Sequence, residues 1–133
     1  VIFVDSSAVV AILTADPDAA ALGAKLETER ERISGGHVIL EASMRLATLL
    51  GLTPAAADRL VTRLLREAEI RVVPITEDIG HAAVAAFDRY GRGRGAGGNL
   101  NFGDCLSYGC AKAHNARLLH KGHDFAQTDV VAA

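Results

Sequence analysis

The opening segment Val1-Ile2-Phe3-Val4-Asp5-Ser6-Ser7-Ala8 decides how the rest of the chain is read. Four apolar residues in a row, with no polar alternation, mark a strand buried on both faces, as in a parallel sheet clothed by helices. Ser6 or Ser7 can cap the helix that follows, Ala8–Leu13. Asp16-Pro17 supplies an N-cap and a first-turn proline for a second helix, through Ala24 to about Glu31. Ile33 is a short strand, and Ser34-Gly35-Gly36 opens a helix to about Leu50. Gly51 closes that helix, and Thr53-Pro54 starts the next, which carries to Glu69. Ile70–Ile75 (IRVVPI) is a strand that Pro74 confines to an edge or a strand end. Thr76 caps a helix to Tyr90, Gly91–Gly98 is a loop, helix resumes from Asn101 to His114, and Arg117–Lys121 is the last strand. Strands separated by helices require right-handed crossovers, so the expected fold class is α/β. Its form is a three-layer α/β/α domain with a mainly parallel sheet of four or five strands.

At 133 residues the chain is expected to be one domain over residues 1–133. Half the residues are hydrophobic and 23% are charged, which excludes a disordered linker. The apolar run Ala8–Leu13 falls far short of the ~18 residues of a membrane span, and no basic region precedes the apolar opening as in a secretory signal. Cys105 and Cys110 on one helix stand about 140° apart and cannot bridge, so a reducing, cytoplasmic setting is expected. A net charge of −2 argues against coating nucleic acid by bulk attraction, although 11 of the 14 basic residues are Arg, the side chain suited to phosphate.

Four acids stand apart. Asp5 follows the buried strand and Asp124 follows the last one, and α/β sheets bind ligands beyond the carboxyl ends of their strands. Each has a plainer reading: Asp5 as a helix N-cap, Asp124 as a turn acid. Glu41 lies on the flank of a stripe formed by Val38, Ile39, Ala42, Leu46 and Leu49, where an i,i+4 pair with Arg45 is its ordinary role. Asp104 fits the capping pattern Asn101-x-x-Asp104. With Leu106, Gly109, Cys110 and Ala113 as the buried side of its helix, it points nearly opposite, so a functional role needs that outer face to line a cleft. Carboxylates brought together raise one another's pKa unless a cation intervenes, and an all-oxygen set selects a hard ion, Mg²⁺ or Mn²⁺.

The segments VIFVDSSAVVAIL, ILEASMRL, LNFGDCLSYGCAKA and LLHKGHDFAQTDV, in this order over nearly the whole chain, resemble the PIN-domain ribonucleases, specifically the VapC-like toxins of type II toxin–antitoxin systems. The resemblance implies a PIN-like fold and a Mg²⁺-dependent endoribonuclease that cleaves RNA through metal-activated water. Asp5, Glu41, Asp104 and Asp124 would be its acidic quartet, with Asp5 and Asp104 the most direct metal ligands and Ser7 the small hydroxyl residue beside the metal. It also implies a homodimer neutralised by a VapB-like antitoxin. His123 stands where close relatives carry Asp or Asn, and Asp129 is an alternative or second partner for Asp124.

The glycine-rich loop brings Arg89, Arg92 and Arg94 as candidate phosphate contacts, with a solvated loop as the plain alternative. Gly93–Gly98 matches GxGxxG but follows a helical pattern, which argues against a dinucleotide site. Arg59, Arg63 and Arg66 share a face whose default reading is solvation, and His120 and His123 lack the partners of a soft-metal site. With no GxSxG, Ser6 and Ser7 are poor nucleophiles. The rival readings are a receiver-like signalling domain, a small phosphatase with a D-x-D motif, and a PIN-fold module that binds RNA or a partner without cutting.

Overall fold

A computed structural model describes residues 1–95 and 97–133; Ala96, inside the glycine-rich loop, lies outside the described residues. The chain runs β1 (Ile2–Val4), α1 (Ser6–Leu13), α2 (Ala19–Glu27), β2 (Arg32–Gly35), α3 (Gly36–Leu50), α4 (Pro54–Glu67), β3 (Ile70–Val73), α5 (Glu77–Tyr90), α6 (Phe102–Ala113) and β4 (Arg117–Leu119). The four strands form one parallel sheet in the order β3-β2-β1-β4. β1 therefore sits centrally, as its unbroken apolar run requires, and all three of its residues are fully buried. The three-layer α/β/α architecture is as expected: α6 lies on β1 and β4 beneath α5, while α1, α3 and α4 pack together, with α2 against α1 and α4 against β3. Ala132 adds an isolated parallel bridge to Leu118, which covers the β4 edge without forming a fifth strand.

Local chemistry explains the boundaries that differ from expectation. Asp5, not Ser6 or Ser7, caps α1, its carboxylate accepting from the Ser7 backbone N–H at 3.1 Å. Asp16-Pro17 does not begin α2. Asp16 instead closes a turn by accepting from the Asp18 N–H at 2.9 Å, and the helix runs only from Ala19 to Glu27. β2 takes in Ser34 and Gly35, because both pair with β3 at Val72 and Val73, so α3 starts at Gly36. β3 is an edge strand that ends at Val73, leaving Pro74 outside the ladder. β4 stops at Leu119, two residues early. Elsewhere the signals hold: Thr53 accepts from Ala56 N–H at 3.1 Å with Pro54 in the first turn, and Gly51 ends α3 at a φ of 63°.

Candidate metal and catalytic site

Four distant acids reach one cavity beyond the carboxyl ends of β1 and β4. Asp5 enters directly from β1 and is 2% exposed. Its Oδ2 accepts from the Ser7 hydroxyl at 2.7 Å and its Oδ1 from the Ser107 hydroxyl at 2.7 Å. Ser7 is itself fixed from the far side, its oxygen accepting from the Lys121 backbone N–H at 3.0 Å. Asp104 sits in the first turn of α6 within a complete capping box: Asn101 Oδ1 accepts from the Asp104 N–H at 2.9 Å, and Asp104 Oδ2 accepts from the Asn101 N–H at 3.1 Å. Glu41 comes from α3, accepts a hydrogen bond from the Ser6 hydroxyl, and rests on the backbone of Gly103, where a Cβ would meet its Cδ at 2.9 Å. Asp124 follows β4 and accepts from Asn99 Nδ2 at 3.3 Å. All four line a cavity of 110 Å³, together with Ser6, Ser7, Arg45, Asn101, Lys121 and Phe125.

Two sequence expectations change here. Asp104 is on the buried side of α6, 5% exposed, rather than nearly opposite it. The helix is pressed between α5 and the sheet, so Asp104, Ser107, Tyr108 and Ala111 form an inward stripe, while Leu106 is only half-buried and Ala113 is exposed. Glu41 makes no ion pair with Arg45 among the described residues, because its carboxylate turns to Ser6 instead. The capping roles of Asp5 and Asp104 are real and coexist with their place in the cavity.

The electrostatics follow from this crowding. Burial first, and then the charges of Asp5, Asp124 and Glu41, push the Asp104 carboxyl up to about 7, against the lowering effect of the Asn101 N–H. Among the described residues no cation pairs with the cluster: Arg45 at the rim is exposed, and the Lys121 ammonium, also at the rim, is taken up by Asp16 and lies 3.7 Å from Asp18. Oxygen-only donors around uncompensated negative charge suit a hard divalent cation. Among the described residues, no three acidic or imidazole groups stand ready as a ligand cage. An ion held as Mg²⁺ commonly is, by one or two protein carboxylates with waters in its other positions, does not need such a cage.

The other candidates lie elsewhere. Arg89 stacks over Tyr90 at 4.8 Å, and Arg94 pairs with Asp88 at 3.1 Å above the Phe87 ring. Arg92 is linked to the cavity indirectly, donating to Asn99 Oδ1 at 3.1 Å, and Asn99 in turn holds Asp124. Arg92 also borders a larger apolar groove of 580 Å³ between α5 and α6, which carries no acid. Asp129 is not brought to the cavity: it accepts from the Tyr108 hydroxyl at 2.6 Å and from Lys112 at 3.3 Å, contacts that hold its carboxyl low. His123 is exposed, while His120 packs edge-on against Phe125. The segment Gly93–Gly98, which includes Ala96 outside the described residues, comes after helix α5 and not after a strand. The residues that sequence reading missed are Ser107, Ser6 as a partner of Glu41, Asn101, Arg45 and Lys121. Two of them have local signals: Ser107 stands three residues after Asp104 on the same helical face, and Asn101 reads as the cap of that helix though not as a site residue.

Comparison with known proteins follows the same outline. The model of the PIN domain family matches residues 2–131. The chain is 37% identical over 127 residues to Ribonuclease VapC30 of Mycobacterium tuberculosis, covering 96% of this chain and 94% of that one. The crystal structure of Mycobacterium tuberculosis VapC20, a sarcin–ricin loop cleaving toxin, superposes with a TM-score of 0.76 at 18% identity, covering 100% of this chain and 98% of that one. A chain of a toxin–antitoxin complex from Klebsiella pneumoniae gives a TM-score of 0.71 at 16% identity, covering 100% and 97%. At such identities the two structures establish a shared fold.

Proposed function

Because the chain belongs to the PIN-domain family, we propose that it is a divalent-metal-dependent endoribonuclease of the VapC toxin class. The observation that carries this reading is the convergence of Asp5, Glu41, Asp104 and Asp124 on one cavity from four separate parts of the chain. Family membership also sets aside the receiver-like and D-x-D phosphatase readings.

Asp5 and Asp104 are the direct ligands in this proposal, each already oriented by hydrogen bonds from its own helix start. Glu41 and Asp124 complete the negative surface and orient water within it. A bound Mg²⁺ would supply charge neutralisation at the scissile phosphate and a lowered pKa for water. The exposed Arg45 guanidinium at the rim binds the RNA phosphate, and the Arg92–Asn99–Asp124 chain ties the glycine-rich loop to the same edge. Ser6 and Ser7 donate their hydroxyl protons to carboxylates and serve as orienting groups, so no covalent enzyme intermediate forms. The products carry a 5′-phosphate and a 3′-hydroxyl. The protein acts as a homodimer in the cytoplasm and is held in check by a VapB-like antitoxin. The similarity to the Klebsiella complex supports this partner. Among the described residues no helix is long and apolar enough to cross a membrane.

The test is incubation of purified protein with labelled RNA stem-loops in Mg²⁺, in Mn²⁺ and in EDTA, beside Asp104→Asn prepared identically. Cleavage that needs the ion and disappears in the variant is the expected result. Intact RNA in every condition would favour the reading as a binding module.

A further inference from the structure

The cavity does not explain a hydrogen-bonded chain that leaves it through the body of the domain. Ser107, fully buried, donates its hydroxyl proton to Asp5 Oδ1 at 2.7 Å. Its oxygen then has lone pairs to offer, and His37 Nε2 lies 2.9 Å from it. Because the Ser107 proton points to Asp5, Nε2 must carry the hydrogen of this second bond. Nδ1 is then a bare acceptor, which agrees with its being buried with no partner. A charged ring would instead strand a buried N–H, and burial does push the His37 pKa down. Both dipoles therefore point the same way, from α3 through α6 to the end of β1.

The ring that starts this chain is held rigidly. It stacks on Phe3 at a centroid distance of 6.0 Å and an interplanar angle of 11°. On another side it lies against Gly35, where a Cβ would come within 2.8 Å of the ring. His37 is half-buried and borders an open groove with Val72, Val73, Pro74 and Ile75, but it does not line the acidic site, and among the described residues its one side-chain hydrogen bond is to Ser107.

We propose that His37 is a positioning residue for the metal site, its Nε2–H holding the Ser107 hydroxyl turned onto Asp5 so that the Asp5 carboxylate is fixed in one orientation toward the cavity. Without the imidazole, the Ser107 hydroxyl is free to rotate, and Asp5 loses one of the two sides from which it is gripped; Ser7 supplies the other. Outer partners of this kind orient metal ligands, and their loss commonly costs 10–100-fold in metal affinity. The inference rests on the reading above that Asp5 holds a divalent ion.

Calorimetric titration of the RNA-free full chain with MnCl₂ tests it, with cooperative thermal unfolding recorded for each variant. His37→Phe keeps the stack on Phe3 and removes the donor, and Ser107→Ala removes the relay. Each is expected to weaken Mn²⁺ by about 10-fold or more. The double variant should bind no more weakly than Ser107→Ala alone, and His37→Gln, whose amide nitrogen overlays Nε2, should bind close to the wild type. If His37→Phe does not fold, His37→Asn takes its place: its amide overlays Nδ1 and leaves Ser107 without a donor, so it should weaken Mn²⁺ as Ser107→Ala does, and wild-type affinity in it overturns the proposal. Wild-type affinity in His37→Phe, or losses that add in the double variant, overturns the role of His37 while leaving the metal site standing. No Mn²⁺ binding by the wild type overturns the metal site itself.

Discussion

Raising the pH in the absence of divalent ions should destabilise this protein, and Asp104 sets the size of the effect. Its carboxyl stands at about 7 rather than its ordinary 3.8. Between those values the folded chain holds a proton that the unfolded chain has released, so stability is full at low pH and is lost as pH rises through about 7. At about 1.4 kcal/mol for each pH unit, the three-unit difference is worth roughly 4 kcal/mol. The proton is shared among coupled acids and water reaches the cavity, so a loss of roughly 2–4 kcal/mol is the working figure. For a domain of this size that lowers the melting temperature by roughly 6–15 °C. His37 and His120, whose pKa values burial pushes down, work in the opposite sense, destabilising the fold as pH falls through the ordinary histidine range. The difference between wild type and Asp104→Asn removes their contribution. Calorimetric melts from about pH 4 to 8.5 in EDTA should show that difference grow up to about pH 7 and then level off, with Asn the more stable at the alkaline end. Mg²⁺ should restore the wild type, least at the acidic end and most above pH 7, because the ion competes with the proton. A wild type whose melting temperature stays level with Asp104→Asn across this range refutes the crowding of acids.

Four further outcomes follow from particular contacts. Asp5→Asn and Asp104→Asn should each reduce RNA cleavage to background while unfolding remains cooperative, read by gel assay and melts on the same preparations. Gly103→Ala should stabilise α6 by up to about 1 kcal/mol yet depress cleavage, because the new methyl displaces the Glu41 carboxylate; cleavage at the wild-type rate would contradict the seating of Glu41. Arg45→Ala should raise KM for RNA, leave kcat nearly unchanged, and lower the slope of log affinity against log salt by about one. Asp129→Asn should leave cleavage unchanged, since that acid is engaged by Tyr108 and Lys112 outside the cavity; activity lost in this variant would return Asp129 to the site.

The layered fold was legible because its signals are local and consistent. Val1–Val4 reads as a buried strand, Thr53-Pro54 and Thr76 as helix starts, and Gly51 as a stop. The misplaced boundaries are those set by pairing across the sheet: Ser34 and Gly35 look like a helix opening until β3 claims them. Of the site, the rim position of Asp5 and Asp124 follows from topology alone, and the order of motifs along the chain supplied Glu41 and Asp104. What spacing could not supply is how α6 is turned. A periodicity count over Leu106, Gly109, Cys110 and Ala113 placed Asp104 outward; Gly109 does lie against Ile79 and Ala83 of α5, and nothing local shows that the same helix is also pressed on β1. The Ser6–Glu41 and Ser107–His37 contacts span 35 and 70 residues, and no local rule reaches that far.

Anomalous diffraction from crystals of the protein grown with Mn²⁺ tests the central claim most directly. One or two peaks inside the cavity, with oxygens of Asp5 and Asp104 in contact with an ion, is the predicted result. Crystals that hold Mn²⁺ only on the outer surface, with the cavity carboxylates bound to nothing but water and each other, would contradict it.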